Sequence, residues 1–338
     1  MTIYLGDLNT RARGLATRLL RPEELNRVAR ATSLFTLRRE LAALGVGRAE
    51  GPSTPESLEQ AVRQRAAGLM AILGRWCGDE RRPILAVLME DEDRRSLQTL
   101  LRGAEHGVGS EARMSGLVPT TELSERALRV LASQPTMTDI VRMLVLWSHP
   151  FGRPLMEAVS PSKPSLLEVE VALQRAFAAR ALTSASRAGA HLLAYARQVV
   201  DLMNAWSALL HFPERDPAIV DLAFVEGGRW IDRDAFTHIL SLERLEDARL
   251  AVARQLQDSA IGTAFAEDAR DLSELESAVL QAQIVEQSRA ARVAPDGSAT
   301  LIRFALQVRA EVLNLRRIVW GVALHAPAVL LEASMVTG

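Results

Sequence analysis

At three points of the chain an acidic residue stands three places before Asn or Ser: Asp93 before Ser96, Asp201 before Asn204, and Glu311 before Asn314. Each lies in an apolar helical pattern, in the stretches EDEDRRSLQTLLRG, QVVDLMNAWSALLHF and LQVRAEVLNLRRIVWG. On a helix, positions i, i+3 and i+4 share a face. Each acid and its amide or hydroxyl therefore form one polar patch beside an apolar neighbour, Leu97, Ala205 or Leu315. Such a patch has three uses. It locks neighbouring helices as an interior hydrogen-bond pair, because buried polar groups specify packing once they are paired. It lines an opening and meets a partner there. Or Asp93, Asp201 and Glu311 act as metal ligands of an all-α enzyme. The interior lock is the favoured reading. Arg102, Arg316 and Arg317 stand where they can pair with these acids or with a partner, although a solvated arginine is the commoner state.

Other chemistry is sparse. The histidines are His106, His149, His191, His211, His238 and His325, and no two of them stand in a HExxH pattern. His149 and His211 lie near prolines at expected helix ends and read as capping residues. GVGSEARMSG lacks the GK[ST] ending of a phosphate loop. FVEGGRW reads as a turn, and no serine sits in GxSxG. The acids Glu90 to Asp93 suit a cation, but at an expected helix start they more readily favour the N-terminal dipole. The expectation is a chain with no catalytic residue, no metal, no cofactor and no small-molecule substrate.

The elements that carry the patches are long and helical. Apolar residues recur at the 3.6-residue period through most of the sequence, and strand-like alternation is scarce. The patches are 108 and 110 residues apart in a chain of 338. Self-similarity at such a period points to three related helical bundles, each larger than a short solenoid repeat. The connector after the motif is repeated too, since FVEGGRWIDRDAFTHIL aligns with LVPTTELSERALRVL at Phe224 and Leu117. The units read as 1–112, 113–222 and 223–338, arranged about a pseudo-threefold axis or along a line. Asp79 to Pro83 breaks the first long helix, and the motif helix follows from Ile84 with Gly103 as its C-cap. Gly189 kinks the second pair, Pro213 and Pro217 close it, and Ser298 caps the last motif helix. Helices of about 30 residues would be roughly 45 Å long, and three pairs of them can enclose a tapered space.

Composition narrows the class. The apolar share of 48% is ample for a packed interior. Lys163 is the only lysine, and the net charge of −1 supplies no drive toward nucleic acid. One cysteine, Cys77, leaves no intrachain disulfide and no cysteine zinc site. The opening MTIYLGDLNTRARG lacks the apolar stretch of a secretory signal. The most apolar segment, Ile318 to Val336, contains His325, Pro327 and Glu332 and is expected in the core rather than across a membrane.

These residues resemble a known family, the C subunit (d in eukaryotes) of V-type and archaeal A-type rotary ATPases, the AC39 family. The opening YLGDLNTRARGLATRLLRPEEL resembles the family's start, and Glu168-Val169-Glu170 its second-unit helix start. Glu311-Val-Leu-Asn314-Leu315-Arg316-Arg-Ile318 resembles its E-x-x-N-L-R-x-I segment. Arg102, nine places after Asp93, matches the family's arginine, whereas Ser96 stands where Asn is usual and Leu210 where Arg is frequent. The resemblance covers essentially the whole chain. It implies an all-helical funnel of three similar units that turns with the rotor and performs no chemistry. Its implied partners are the shaft subunits, of D and F type, and the membrane ring of proteolipid subunits that carry protons or sodium. A helical adaptor unrelated to rotary ATPases is the competing reading.

Overall fold

A computed structural model describes residues 4–211, 222–257, 259–267 and 271–337. The described residues form helices and loops, with no strand among them. In chain order the helices are α1 (Gly6–Ala16), α2 (Pro22–Ala29), α3 (Leu34–Ala43), α4 (Pro55–Glu105), α5 (Ser110–Arg113), α6 (Glu125–Ala132), α7 (Met137–Leu146) and α8 (Gly152–Met156). Then come α9 (Leu166–Ala188), α10 (Ala190–His211), α11 (Arg233–Ser241), α12 (Leu245–Gln255), α13 (Ala260–Ala266), α14 (Leu272–Val293), α15 (Ala299–Ala323) and α16 (Ala328–Ala333).

The order of elements recurs. Three short helices precede two long ones in α1–α3 with the two arms of α4, in α6–α8 with α9 and α10, and in α11–α13 with α14 and α15. Each motif lies on the second long member. A backbone break parts the two members each time. Gly78 adopts φ 64°, ψ 172° inside α4, and Gly189 adopts φ 133° between α9 and α10. The turn Pro295-Asp296-Gly297 separates α14 from α15. The α4 break therefore falls one residue before the expected Asp79–Pro83, because only glycine takes that conformation without strain. These breaks also hold the separate long helices to 22–25 residues, roughly 33–38 Å rather than 45 Å. The expected closure at Pro213 and Pro217 lies outside the described residues.

Packing divides the chain into two compact units. One comprises residues 79–113 and the described residues between 126 and 267. In it α9 lies along α10, α11 and α12 pack on α10 and on each other, and α13 packs on α12. Phe151, Phe177, Phe236 and Phe265 are fully buried in its core. Arg113 fastens the segment after α4 to the end of α6 through Gln134 O (2.6 Å) and Ala132 O (3.3 Å). Gly103 is not the cap that its position in the sequence suggests. It is helical, and a Cβ there would come within 2.7 Å of Arg113 Cγ. The cap is Gly107 at φ 64°, where Val108 N donates to Gly103 O as in a Schellman motif.

The other unit comprises residues 4–78, 114–125 and 271–337. At its centre is α15, against which α14, α1, α2, α3 and α16 pack. Phe304, Leu306, Leu315, Ile318 and Val319 fill the interior. Thr54 caps the first arm of α4 by accepting from Ser57 N, and Asp271 caps α14 by accepting from Glu274 N. Ser298 occupies the N-cap position of α15, but its side chain makes no capping bond. Its backbone is already helical (φ −73°, ψ −11°), so the side chain is not turned back over the first turn. The segment from Ile318 to Val336 is only partly core. Ile318, Val319 and Val322 are buried, whereas Leu324, just before the turn at His325, and Val329 and Leu330 after it are exposed. No described helix is long and apolar enough to cross a membrane.

The glycine break in α4 has a measurable consequence. Gly78→Ala is expected to destabilise the protein by about 1–3 kcal/mol, because the added Cβ meets no neighbour and the whole cost is conformational. Gly68→Ala, at an exposed helical position with equally open space, should stabilise it by about 0.5–1 kcal/mol. Urea unfolding of the two variants tests this opposition of sign.

Candidate functional site

All six acid and amide or hydroxyl residues of the three motifs are buried. Their partners differ. In the second motif, on α10, the carboxylate of Asp201 meets the turn in FVEGGRW. Asp201 Oδ1 accepts from the backbone N–H of Arg229 (3.1 Å), Trp230 (3.0 Å) and Ile231 (2.9 Å), and Oδ2 accepts from Arg229 as well (2.9 Å). Three successive N–H groups aimed at one carboxylate form an anion nest. Gly228 makes this approach possible, because a Cβ there would stand 2.3 Å from Asp201 Oδ1. The double glycine is thus a turn, as its sequence suggests, and also the receptor for the acid 27 residues before Gly228. Burial pushes the Asp201 carboxyl above its ordinary 3.8, and the three N–H donors counter that rise.

Asn204, one turn further along α10, holds the same connector. Its Nδ2 donates to Val225 O (2.9 Å), and its Oδ1 accepts from Val225 N (3.0 Å). Asn314 on α15 repeats the arrangement on Val336, with bonds of 2.8 and 2.9 Å. In both places a planar amide satisfies both backbone groups of a single valine 21 or 22 residues downstream. Only an amide carries a donor and an acceptor on separate atoms at that reach. Ser96 is buried at the corresponding position of α4, and a hydroxyl, with one oxygen, cannot make this two-point clasp.

The third acid takes other partners. Glu311 Oε1 accepts from Arg65 Nε (2.8 Å), and its Oε2 accepts from Leu20 N (2.5 Å). Arg65 also donates to Gly45 O and Arg18 O. The ion pair is well shielded and ties α15 to α4 and to the loops around α1 and α3. The first acid, Asp93, faces an imidazole. His149 Nε2 stands 3.6 Å from Asp93 Oδ2, with both side chains buried. Phe151 N donates to His149 Nδ1 (3.3 Å), which leaves Nε2 as the ring nitrogen turned toward the carboxylate. His149 therefore does more than sit at a helix end. The side chain of His211 lies outside the description.

Arg102 and Arg316 pair with acids other than those of the motifs, and Arg317 bonds a carbonyl and a hydroxyl. Arg102 donates to both oxygens of Glu170 on α9, joined there by Gln98. That bond raises the Arg102 pKa further. Arg316 pairs with the buried Glu59 at 3.2 Å. Glu59 also accepts from Ser115 Oγ, Gly116 N and Trp320 Nε1. Arg317 reaches Ser334 O and Ser277 Oγ. The acids from Glu90 to Asp93 do not sit at a helix start. They lie in the middle of the second arm of α4, too far along it for the terminal dipole to act. There Glu90 takes Arg180 on both oxygens, and Asp91 takes Arg94 and Arg95. Guanidinium groups, and not a helix terminus, balance Glu90 and Asp91. Among the described residues no group of three potential ligands is placed to hold a metal.

Sequence reasoning passed over Glu59, Glu90 as a pairing residue, Arg65 and Arg113. A signal exists for Glu59. It shares the buried stripe of α4 with Val62 and Ala66, and a charge inside an apolar stripe must find a partner. Arg65 and Arg113 give no comparable signal, because their partners are largely backbone carbonyls. A family model described as ATP synthase (C/AC39) subunit matches residues 8–332 of the chain. No curated protein matches it.

Asp201→Ala should cost roughly 3 kcal/mol or more, since it strands three inward-facing N–H groups at about 1–3 kcal/mol each. The pH dependence has a fixed sign. A carboxyl whose folded pKa is raised stabilises fully below 3.8 and loses that contribution as pH rises through the raised value. The advantage of the wild type over Asp201→Asn should therefore shrink across that interval, as read by urea unfolding at a series of pH values. The double variant Glu311→Ala/Asn314→Ala should melt well below the wild type. An unchanged melting temperature would mean that these groups hold nothing together inside the chain.

Proposed function

The chain belongs to the ATP synthase (C/AC39) subunit family, and from that premise we propose that it is the central-stalk spacer of a V- or A-type ATPase. Members of the family are structural subunits of such complexes and not their catalytic parts. The finer reading is that this subunit seats the rotor shaft, made of D- and F-type subunits, on the membrane ring of proteolipid subunits. In this role it would lie peripherally on the cytoplasmic face and turn with the rotor. The match over residues 8–332 carries the proposal.

Two features of the chain support it. A part that hands on torque must resist bending, and tightly packed helices are stiff. Asp201, Asn204, Glu311 and Asn314 spend their hydrogen bonds inside the chain, on connectors and neighbouring helices, which stiffens the bundles. The thrice-repeated order of three short and two long helices suits three related units at 1–112, 113–222 and 223–338 about a pseudo-threefold axis. In this reading Asp93, Ser96, Asp201, Asn204, Glu311 and Asn314 are locks that hold each unit's second long helix. Arg102 and Arg316 brace them through Glu170 and Glu59.

Deletion of the protein is expected to abolish ATP-driven ion transport in membrane vesicles, while detached catalytic heads continue to hydrolyse ATP. Pull-down of the tagged chain from detergent-solubilised membranes should bring shaft and ring subunits with it. Ion transport at wild-type rate in the deletion strain would defeat the proposal.

A further inference from the structure

Thr300, Arg303, Gln307, Glu311 and Asn314 follow one another along α15 at spacings of three and four, and so share one face. The C-terminal part of this polar stripe is engaged, through Arg65, Leu20 and Val336. The N-terminal part is not. Thr300 Oγ1, Arg303 Nε and Gln307 Oε1 are buried atoms without a hydrogen-bond partner, and Thr300 is only 2% exposed. Helix α1 packs on α15 beside this stretch. Asn9 Nδ2 donates to Pro295 O (2.8 Å) and Gly297 O (2.9 Å) at one end, and the Leu20 amide reaches Glu311 at the other.

Arg13 lies between these two anchors, with its Nη2 on Pro295 O (3.3 Å). Arg292, in the last turn of α14, flanks the same turn. Among the described residues no carboxylate pairs with Arg13, Arg292 or Arg303. Asp296, in the turn itself, is exposed and makes no ion pair with them. Burial, and then the like charges of Arg13 and Arg292, push the Arg303 pKa down. The amides at the start of α15 also lack a side-chain cap, since Ser298 does not supply one. Three cations, an open helix N-terminus and a buried hydroxyl with no partner thus converge without a counter-charge.

We propose that the seam between α1 and the first two turns of α15 binds a small phosphate group, held by Arg13, Arg292 and Arg303 with the Thr300 hydroxyl. Helix N-termini and guanidinium forks both suit tetrahedral oxyanions. Asn9 supports a phosphate in particular. Its Nδ2 is committed to two carbonyls, so its buried, unpartnered Oδ1 calls for a donor, and a singly protonated phosphate offers one O–H. The group is either free phosphate or the phosphate of a mononucleotide. The site is independent of the spacer role.

Thermal melting of the full chain in a few millimolar sodium phosphate, against sodium chloride of equal ionic strength, tests the site. The wild type is expected to gain about 3 °C or more. Arg303→Gln should melt at or above the wild type without phosphate, since a like charge is removed, and should show no phosphate response. Arg13→Gln, at an exposed position, should reduce the response while leaving the fold intact. An AMP arm separates the sources: a gain equal to that from phosphate points to a mononucleotide, and a gain from phosphate alone points to the free ion. No gain in the wild type, or an equal gain in Arg303→Gln, would overturn the site.

Discussion

Buried polar groups must be paired, and in this chain the loops do much of the pairing. Asp201 and Asn204 lie deep on α10, where an unmatched carboxylate or amide would be too costly to keep. What matches them is the backbone of the connector that follows, at Val225 and at Arg229 to Ile231. Asn314 does the same with the chain's closing segment at Val336. The helix fixes the loop, and the loop makes the polar helix tolerable. Neither arrangement stands without the other, so each bundle closes as one cooperative piece.

The charged residues follow the same rule by another route. Glu90, Glu170, Glu59 and Glu311 are buried carboxylates, each met by an arginine that spans to a different helix. The abundance of arginine over lysine in this chain has structural uses. Guanidinium groups reach further than lysine, bond in a fixed fork and stay charged when half-buried. Arg113 shows a second use, bonding carbonyls at the ends of helices that would otherwise go unsatisfied.

Much of this was legible in the sequence, and the limits have physical causes. The helical class, the short helices and the positions of the motifs follow from apolar periodicity and from Pro and Gly punctuation. Family membership was legible too, because the order and spacing of motifs extend over nearly the whole chain. Pairing was not legible. Arg102 and Asp93 sit on one helix, yet each turns to a residue far away in sequence, Glu170 and His149. The role of Gly228 depends on an acid 27 residues earlier, and local turn rules carry no trace of that. The break at Gly78 rather than at Pro83 reflects the same limit. The segment from Asp79 to Pro83 carries the sequence signal for a break, but α4 leaves helical geometry at Gly78 and stays helical through Pro83.

The amide clasp has a consequence for how such chains diverge. Asn204 and Asn314 grip the backbone N–H and C=O of a valine and not its side chain, so the clasp itself does not read residue identity, and only the burial of Val225 and Val336 does. Any amino acid except proline, which has no N–H to give, offers the same handle. The clasp thus leaves the backbone handle intact when the connector's sequence drifts, and the likeness between α10 and α15 should persist in the fastener long after it has faded from the strap it holds.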